Sequence, residues 1–244
     1  HPSAKDDIAF WLYSSGSTGR PKGAPHRHGS LAATAELFGQ GTLGLVDTDV
    51  IFSAAKLFFA YGLGNALTFP MWVGATTVLL PDRVTPAAAA EILERHAVTV
   101  FFGAPTLFGG MLATGLSERM HGGPLRLCVS AGEGLPTPIG EDWAKRTGIE
   151  IVDGIGSTEM LHIYISNRPD DVRRGSTGKP VSGYEVKLVD EAGRTVGVGD
   201  LGELCVRGPT MTPYYWNHPE KTKSTFIDGW MRTGDKFFVD ETGR

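Results

Sequence analysis

Apolar and polar positions follow one another in two different textures along the 244 residues. As far as about residue 175, short apolar runs are interleaved with longer stretches of helical period. Ile8–Tyr13 reads as a strand that feeds a loop of Gly and Ser. Leu31, Ala35 and Phe38 fall on one face of a helix. Thr76–Leu80, rich in β-branched residues, predicts a strand, and Thr85-Pro86 supplies the N-cap and N1 proline of a helix running to about His96. Val98–Phe102 and Leu125–Val129 are further strands. Thr137-Pro138 opens a helix towards Arg146, Gly148 stops it, and Ile149–Val152 returns as a strand. Strands alternating with helices of this length predict right-handed crossovers and an α/β fold with a mostly parallel sheet.

Beyond that point helical period fades. Tyr184–Val189, Gly202–Val206 and Trp230–Arg232 are short strand candidates separated by turns such as Glu191-Ala192-Gly193-Arg194. The expected organisation is an α/β portion over 1–174 and a small β-rich subdomain over 175–244.

Composition narrows the class. Hydrophobic residues make up 41% and charged residues 20%, as in an ordinary globular protein, but the 33 glycines are roughly twice the usual share. Such glycine suits tight turns and places where backbone approaches a ligand. The net charge of -4, with Lys and Arg scattered, argues against nucleic acid or an anionic membrane as partner. The longest apolar segment, Leu57 to Val73, is broken by Gly62, Gly64, Asn65, Thr68 and Pro70. No leader is visible at the start, and Cys128 and Cys205 stand far apart, so a soluble cytoplasmic protein is expected.

The densest chemical signal is Tyr13-Ser14-Ser15-Gly16-Ser17-Thr18-Gly19-Arg20-Pro21-Lys22-Gly23. Glycines let backbone N–H groups converge on an anion, hydroxyls donate, and Arg20 and Lys22 add charge. A Walker A loop needs Gly directly before its Lys, where this chain has Pro21, and the spacing of Gly16 and Gly19 breaks a dinucleotide fingerprint. This is a phosphate loop of another kind. A second segment, Asp153-Gly154-Ile155-Gly156-Ser157-Thr158-Glu159, follows the strand Ile149–Val152. A third, Thr233-Gly234-Asp235, lies after Trp230-Met231-Arg232, and a fourth, Ser130-Ala131-Gly132-Glu133, follows the strand ending at Val129. Taken singly, the last three also read as turns, a helix cap or a solvated carboxylate.

Together, in this order, the four segments resemble the signature motifs of the adenylate-forming superfamily, and the resemblance covers essentially the whole chain. It implies that Ser14, Ser15, Gly16, Ser17, Thr18, Gly19 and Lys22 bind phosphate, with Thr158 a further phosphate contact. It implies that Glu159 holds magnesium, so that Thr158 and Glu159 are the catalytic pair. Gly132, Glu133, Asp153, Gly154, Ile155 and Asp235 would surround adenine and ribose, with Ile155 where an aromatic residue is common.

The segments Ala54–Asn65 and Glu159-Met160-Leu161-His162-Ile163 resemble the aryl-pocket walls of benzoate-CoA ligases. On that resemblance Ala60, Tyr61, Gly132, Gly154, Gly156, Leu161 and His162 line the acid site. Glycines and alanine would leave a flat slot and Tyr61 would offer it a ring. The alternative is that the aromatic cluster is core, the expectation for Phe58, and that His162 is a structural histidine. His26 and His28 read as the polar start of a helix rather than a zinc pair.

The implied reaction uses ATP, Mg2+ and coenzyme A to turn an aromatic acid into an acyl-adenylate and then a thioester. Members of the superfamily usually continue past the T-G-D segment into a small domain bearing a catalytic lysine. The expectation is therefore a portion of a longer enzyme, inactive alone. The alternatives are an adenylating enzyme for another acid or a non-catalytic binding module, and the oligomeric state stays open, a homodimer among the options.

Overall fold

The computed structural model describes residues 2–15 and 21–244, apart from the side chain of Ser15. The chain opens with an antiparallel hairpin of β1 (Ile8–Ser15) and β2 (Pro21–Arg27), in which Ser14 faces Lys22 and Ser15 faces Pro21. The first strand thus stands apart from the parallel sheet. His26, expected at a helix start, is a strand residue, and the helix α1 begins at His28 (His28–Thr34) and passes into a π-helical stretch, Ala35–Gln40. Ala35 and Phe38 are buried on the expected face.

The next strands are β3 (Val50–Ser53), β4 (Thr76–Val78), β5 (Val100–Gly103), β6 (Leu127–Ser130), β7 (Ile151–Gly156), β8 (Ile163–Ser166) and β9 (Lys179–Pro180). They form one seven-stranded sheet in the order β4-β3-β5-β6-β7-β8-β9. The first five are parallel, and β8 and β9 add an antiparallel edge. Both faces of the parallel part are covered, so its strands read as unbroken apolar runs, and consecutive residues serve opposite faces. Ile51, Phe102, Val129 and Val152 enter one core cluster, while Phe52, Phe101, Cys128 and Ile151 enter the other.

Helices make the crossovers. The second, α2 (Ala60–Leu63), continues through a π-helical stretch, Gly64–Thr68, into α3 (Phe69–Val73). The fourth, α4 (Pro86–Arg95), is capped as its sequence predicts, the Thr85 hydroxyl accepting from the Ala88 N–H at 3.2 Å. Then come α5 (Pro105–Ala113) and α6 (Thr137–Thr147), the latter ended by left-handed Gly148 at φ 77°. Trp143 of α6 packs edge-on against Phe108 of α5 at 4.8 Å.

The remaining chain forms an antiparallel four-stranded sheet of β10 (Glu185–Val189), β11 (Gly202–Arg207), β12 (Phe226–Ile227) and β13 (Trp230–Phe237), with α7 (Pro219–Thr225) leading into β12. Strand β9 lies past residue 175 yet pairs with β8, and the antiparallel sheet starts at Glu185. Leu188, Leu204, Val206 and Met231 join the core cluster of the large sheet, so the two sheets share packing. Cys128 and Cys205 are both buried free thiols. Among the described residues no helix is long and apolar enough to cross a membrane.

Candidate active site

The carboxyl ends of parallel strands are where open α/β sheets place their ligand crevices. Here those ends carry Ser53-Ala54-Ala55, Ser130-Ala131-Gly132 and Gly154-Ile155-Gly156. A pocket of about 310 Å³ opens above them, walled by Phe59, Ala60, Tyr61, Gly132, Gly156 and His162 among others. Thr158 also reaches it. Two residues expected in this wall lie elsewhere. Gly154 sits within β7, where a Cβ would stand 2.9 Å from the Ile165 carbonyl oxygen, so its lack of a side chain serves strand packing. Leu161 is buried at φ 66° in the turn that closes the Thr158–His162 segment.

Tyr61 is pinned by its hydroxyl, which donates to the Val129 carbonyl at 3.2 Å, with that of Gly103 at 3.4 Å. Its ring meets Phe102 edge-on at 6.1 Å and leaves one side to the pocket. His162 is fully buried, its Nε2 3.1 Å from Oδ1 of Asn65 in the π-helical stretch. Phe38 and Phe69 pack against its ring at 5.2 and 4.6 Å. Burial drives the His162 pKa down to about 3, so the imidazole is neutral. Gly64 leaves room for that ring, since a Cβ there would stand 2.4 Å from it. Asn65 closes the Ala54–Asn65 segment noted in the sequence, but nothing in the sequence singles it out as the partner of His162. Phe58, expected in the core, is 71% exposed, its ring tilted against that of pocket-lining Phe59 at 4.5 Å.

A second cavity of about 120 Å³ is lined by Lys22, Ser157, Glu159, Tyr215, Thr233 and Asp235 among others. The hairpin delivers Lys22 from the first residues of β2, and β13 delivers Thr233 and exposed Asp235 across left-handed Gly234. Glu159 follows β7, and its Oε1 accepts from the Tyr215 hydroxyl at 2.8 Å and from Ser14 Oγ at 3.3 Å. Burial and the Glu159 charge hold the Tyr215 phenol well above its ordinary pKa, so it is a donor. The expected positions Gly16, Ser17, Thr18 and Gly19 lie outside the described residues, as does the Ser15 side chain.

Asp153 is buried in β7 beside Ser130 of β6. Burial pushes its carboxyl up to about 6 against the opposing Leu135 N–H, 3.5 Å away, and its Oδ1 has no partner among the described residues. Ile155 is half-buried in the same strand, while Gly132, at φ 95°, and Glu133 stand in the open loop after β6. No group of three or more His, Cys, Asp or Glu is gathered among the described residues. Magnesium asks for no more than one or two carboxylates, its other ligands being water and phosphate oxygens, and the partly buried Glu159 beside Lys22 fits that demand.

The family model for AMP-binding enzymes matches residues 1–216. The benzoate–CoA ligase of Thauera aromatica is 54% identical over 243 residues, 99% of this chain and 46% of that protein. The 4-hydroxybenzoate–CoA/benzoate–CoA ligase of Rhodopseudomonas palustris is 50% identical over 234 residues, 95% of this chain and 43% of its own length. The crystal structure of a benzoate CoA ligase from Burkholderia xenovorans LB400 superposes with a TM-score of 0.92 at 50% identity, over 99% of this chain and 48% of that one. The chain thus spans about half the length of the relatives it matches. With its pocket at the strand ends and the family match over most of its length, this chain belongs to the AMP-binding enzyme family.

Proposed function

We propose that this chain is the nucleotide- and acid-binding portion of a cytoplasmic, ATP- and magnesium-dependent ligase that joins an aromatic acid to coenzyme A. The observation that carries the reading is the adjacency of two cavities. Ser157 lines both the aryl-sized slot and the cleft of Lys22, Glu159 and Asp235. An acid in the slot, its ring beside Tyr61 and Gly156, would turn its carboxylate towards Thr158 and the triphosphate.

The carboxylate attacks the α-phosphorus and pyrophosphate leaves; the thiol of coenzyme A then attacks the acyl carbon of the adenylate, and AMP leaves as the thioester forms. Orientation and charge neutralisation dominate such a step. Lys22 and the hydroxyls of Ser14 and Thr158 supply cation and donors, and Asp235 accepts from the ribose hydroxyls. Asp153, Ile155 and the Gly132-Glu133 loop frame the base. Glu159 would hold magnesium, which when bound neutralises phosphate charge. Gly154 and Leu161 shape the segment rather than touch the acid.

The reading is tested by calorimetric titration of the complete protein with ATP and magnesium, then with benzoate, alongside pyrophosphate exchange. Benzoate-dependent exchange supports it. Tight binding of either ligand without exchange points instead to a non-catalytic module.

A further inference from the structure

Tyr215 belongs to none of the four motifs, yet it touches two opposite charges of the phosphate cleft, Glu159 and Lys22. Its hydroxyl donates to Glu159 Oε1 at 2.8 Å, and the Lys22 ammonium stands 4.7 Å from its ring centre. The residue is firmly seated. It is buried, its N–H bonds Thr222 Oγ1 of α7 at 3.0 Å, and its ring packs against Phe226 at 5.4 Å. The same segment holds the Glu159 backbone, whose carbonyl accepts from the Thr212 N–H at 2.8 Å.

A carboxylate and an ammonium in one partly buried cleft would ordinarily pair with each other. Such a pair would have to be broken before either could serve a cation or a phosphate. Among the described residues Lys22 forms no ion pair with Glu159. The phenol stands in for both partners: a neutral donor for the carboxylate and an electron-rich face for the ammonium. Tyr215 and Ser14 both bond Oε1, and among the described residues no hydrogen bond engages Oε2 of Glu159, which is left for a ligand.

We propose that Tyr215 is a positioning residue that holds Glu159 and Lys22 apart, the carboxylate free for a divalent cation and the ammonium free for phosphate. This role rests on the nucleotide reading above. The experiment is calorimetric binding of ATP to the complete protein, with and without magnesium, for wild type, Tyr215→Phe and Tyr215→Leu, beside thermal melts. Phe keeps the ring and loses the donor. The gain in ATP affinity brought by magnesium is expected to shrink about tenfold, as loss of a hydrogen bond to a charged group implies. Magnesium-free ATP affinity is expected to stay at the wild-type value. Leu removes ring and donor, so Lys22 collapses onto Glu159 and magnesium-free ATP affinity falls as well. An undiminished magnesium gain in Tyr215→Phe overturns the proposal, and so does a Phe variant whose ATP affinity falls equally with and without magnesium in step with its melting temperature. A wild type that binds no ATP under either condition overturns the nucleotide reading itself, and this role with it.

Discussion

His26 Nε2 lies 2.8 Å from the carbonyl oxygen of Thr158, so a buried imidazole on the hairpin is bonded to the very peptide that precedes Glu159. Burial lowers the His26 pKa more than the Thr158 and Thr210 backbone and the Glu159 charge raise it. The neutral ring therefore donates through Nε2, the tautomer that the carbonyl demands. Phe10 covers the ring at 5.6 Å. Through this bond the strand that carries Lys22 is tied to the turn that carries Glu159.

His26→Ala should remove one of two donors on the Thr158 carbonyl, which keeps the Leu161 N–H at 3.1 Å, a loss of about 0.5–1.5 kcal/mol before any cavity is counted. His26→Gln, which can still donate, should recover part of it. Thermal melts of the two variants check this, and equal melting temperatures for His26→Ala and wild type would show the bond to be idle.

Glu159→Gln keeps the shape and removes the charge. It should depress pyrophosphate exchange by about 10²–10³ with little change in melting temperature, the scale of losing one preorganised electrostatic contact. Exchange at the wild-type rate under saturating magnesium would take Glu159 out of the metal site.

Asp235 is exposed on β13, its N–H held by Thr233 Oγ1 at 3.1 Å so that its carboxylate stands clear of its own backbone. Asp235→Ala should raise the KM for ATP about tenfold, since a charge-assisted bond to a hydroxyl is lost, and leave the KM for the acid nearly alone. Initial-rate kinetics with each substrate varied in turn decide it; an unaltered ATP KM removes Asp235 from the ribose site.

Acid sensitivity should come from opposing groups. The unfolded chain protonates His162 near 6.5 and the folded one near 3. The stability His162 contributes is therefore present above 6.5 and lost as pH falls towards 3, and His26, also lowered, acts in the same sense. Between about pH 7 and pH 5 the His162 loss reaches about 2 kcal/mol. Asp153 opposes it: raised from 3.8 to about 6, it contributes stability below 3.8 that is lost as pH rises through about 6. Melting temperatures across this range should fall gently in wild type, more steeply in Asp153→Asn, and least in His162→Gln. Parallel curves for all three would contradict the assignment.

Period and punctuation were enough to reveal the parallel sheet. Val100–Gly103, buried on both sides, and the Thr85 cap are local signals with a single reading. The hairpin was not legible in that way, because the polar Pro21–Arg27 stretch earns its strand character from pairing with β1 and from packing. For the same reason His26, between Pro25 and Arg27, looks solvated in the sequence although tertiary contacts bury it. Lys22, Glu159 and Asp235, each marked by its motif, line one cavity. The contacts of Tyr215 and Asn65 carry no such mark, since each is made to a partner distant in sequence, Glu159 and His162 respectively.

Selectivity for the acid follows from the shape of the slot. Tyr61, fixed by its bond to the Val129 carbonyl, and the buried His162–Asn65 pair close the pocket with side chains that have little freedom to move. Gly132 and Gly156 leave its walls flat. A benzene ring fills such a space and gains edge-to-face contact with Tyr61, whereas acetate leaves it underfilled and a long alkyl chain meets the Tyr61 ring. Benzoate and small ring-substituted benzoates should therefore be preferred over acetate and octanoate. A para-hydroxyl requires a partner, because a buried polar group left unpaired costs about 1–3 kcal/mol. His162 is the pocket-lining residue with a ring nitrogen beyond the one that meets Asn65. Tolerance of 4-hydroxybenzoate should accordingly fall in His162→Phe while benzoate is still used. The measurement is kcat/KM for benzoate, 4-hydroxybenzoate, acetate and octanoate in wild type, Tyr61→Ala and His162→Phe of the complete protein. Tyr61→Ala should narrow the gap between benzoate and octanoate by about tenfold or more, the scale of one lost aromatic contact plus the opened volume. If octanoate outperforms benzoate in the wild type the aryl slot is wrong, and if Tyr61→Ala leaves the ranking untouched Tyr61 is packing rather than wall.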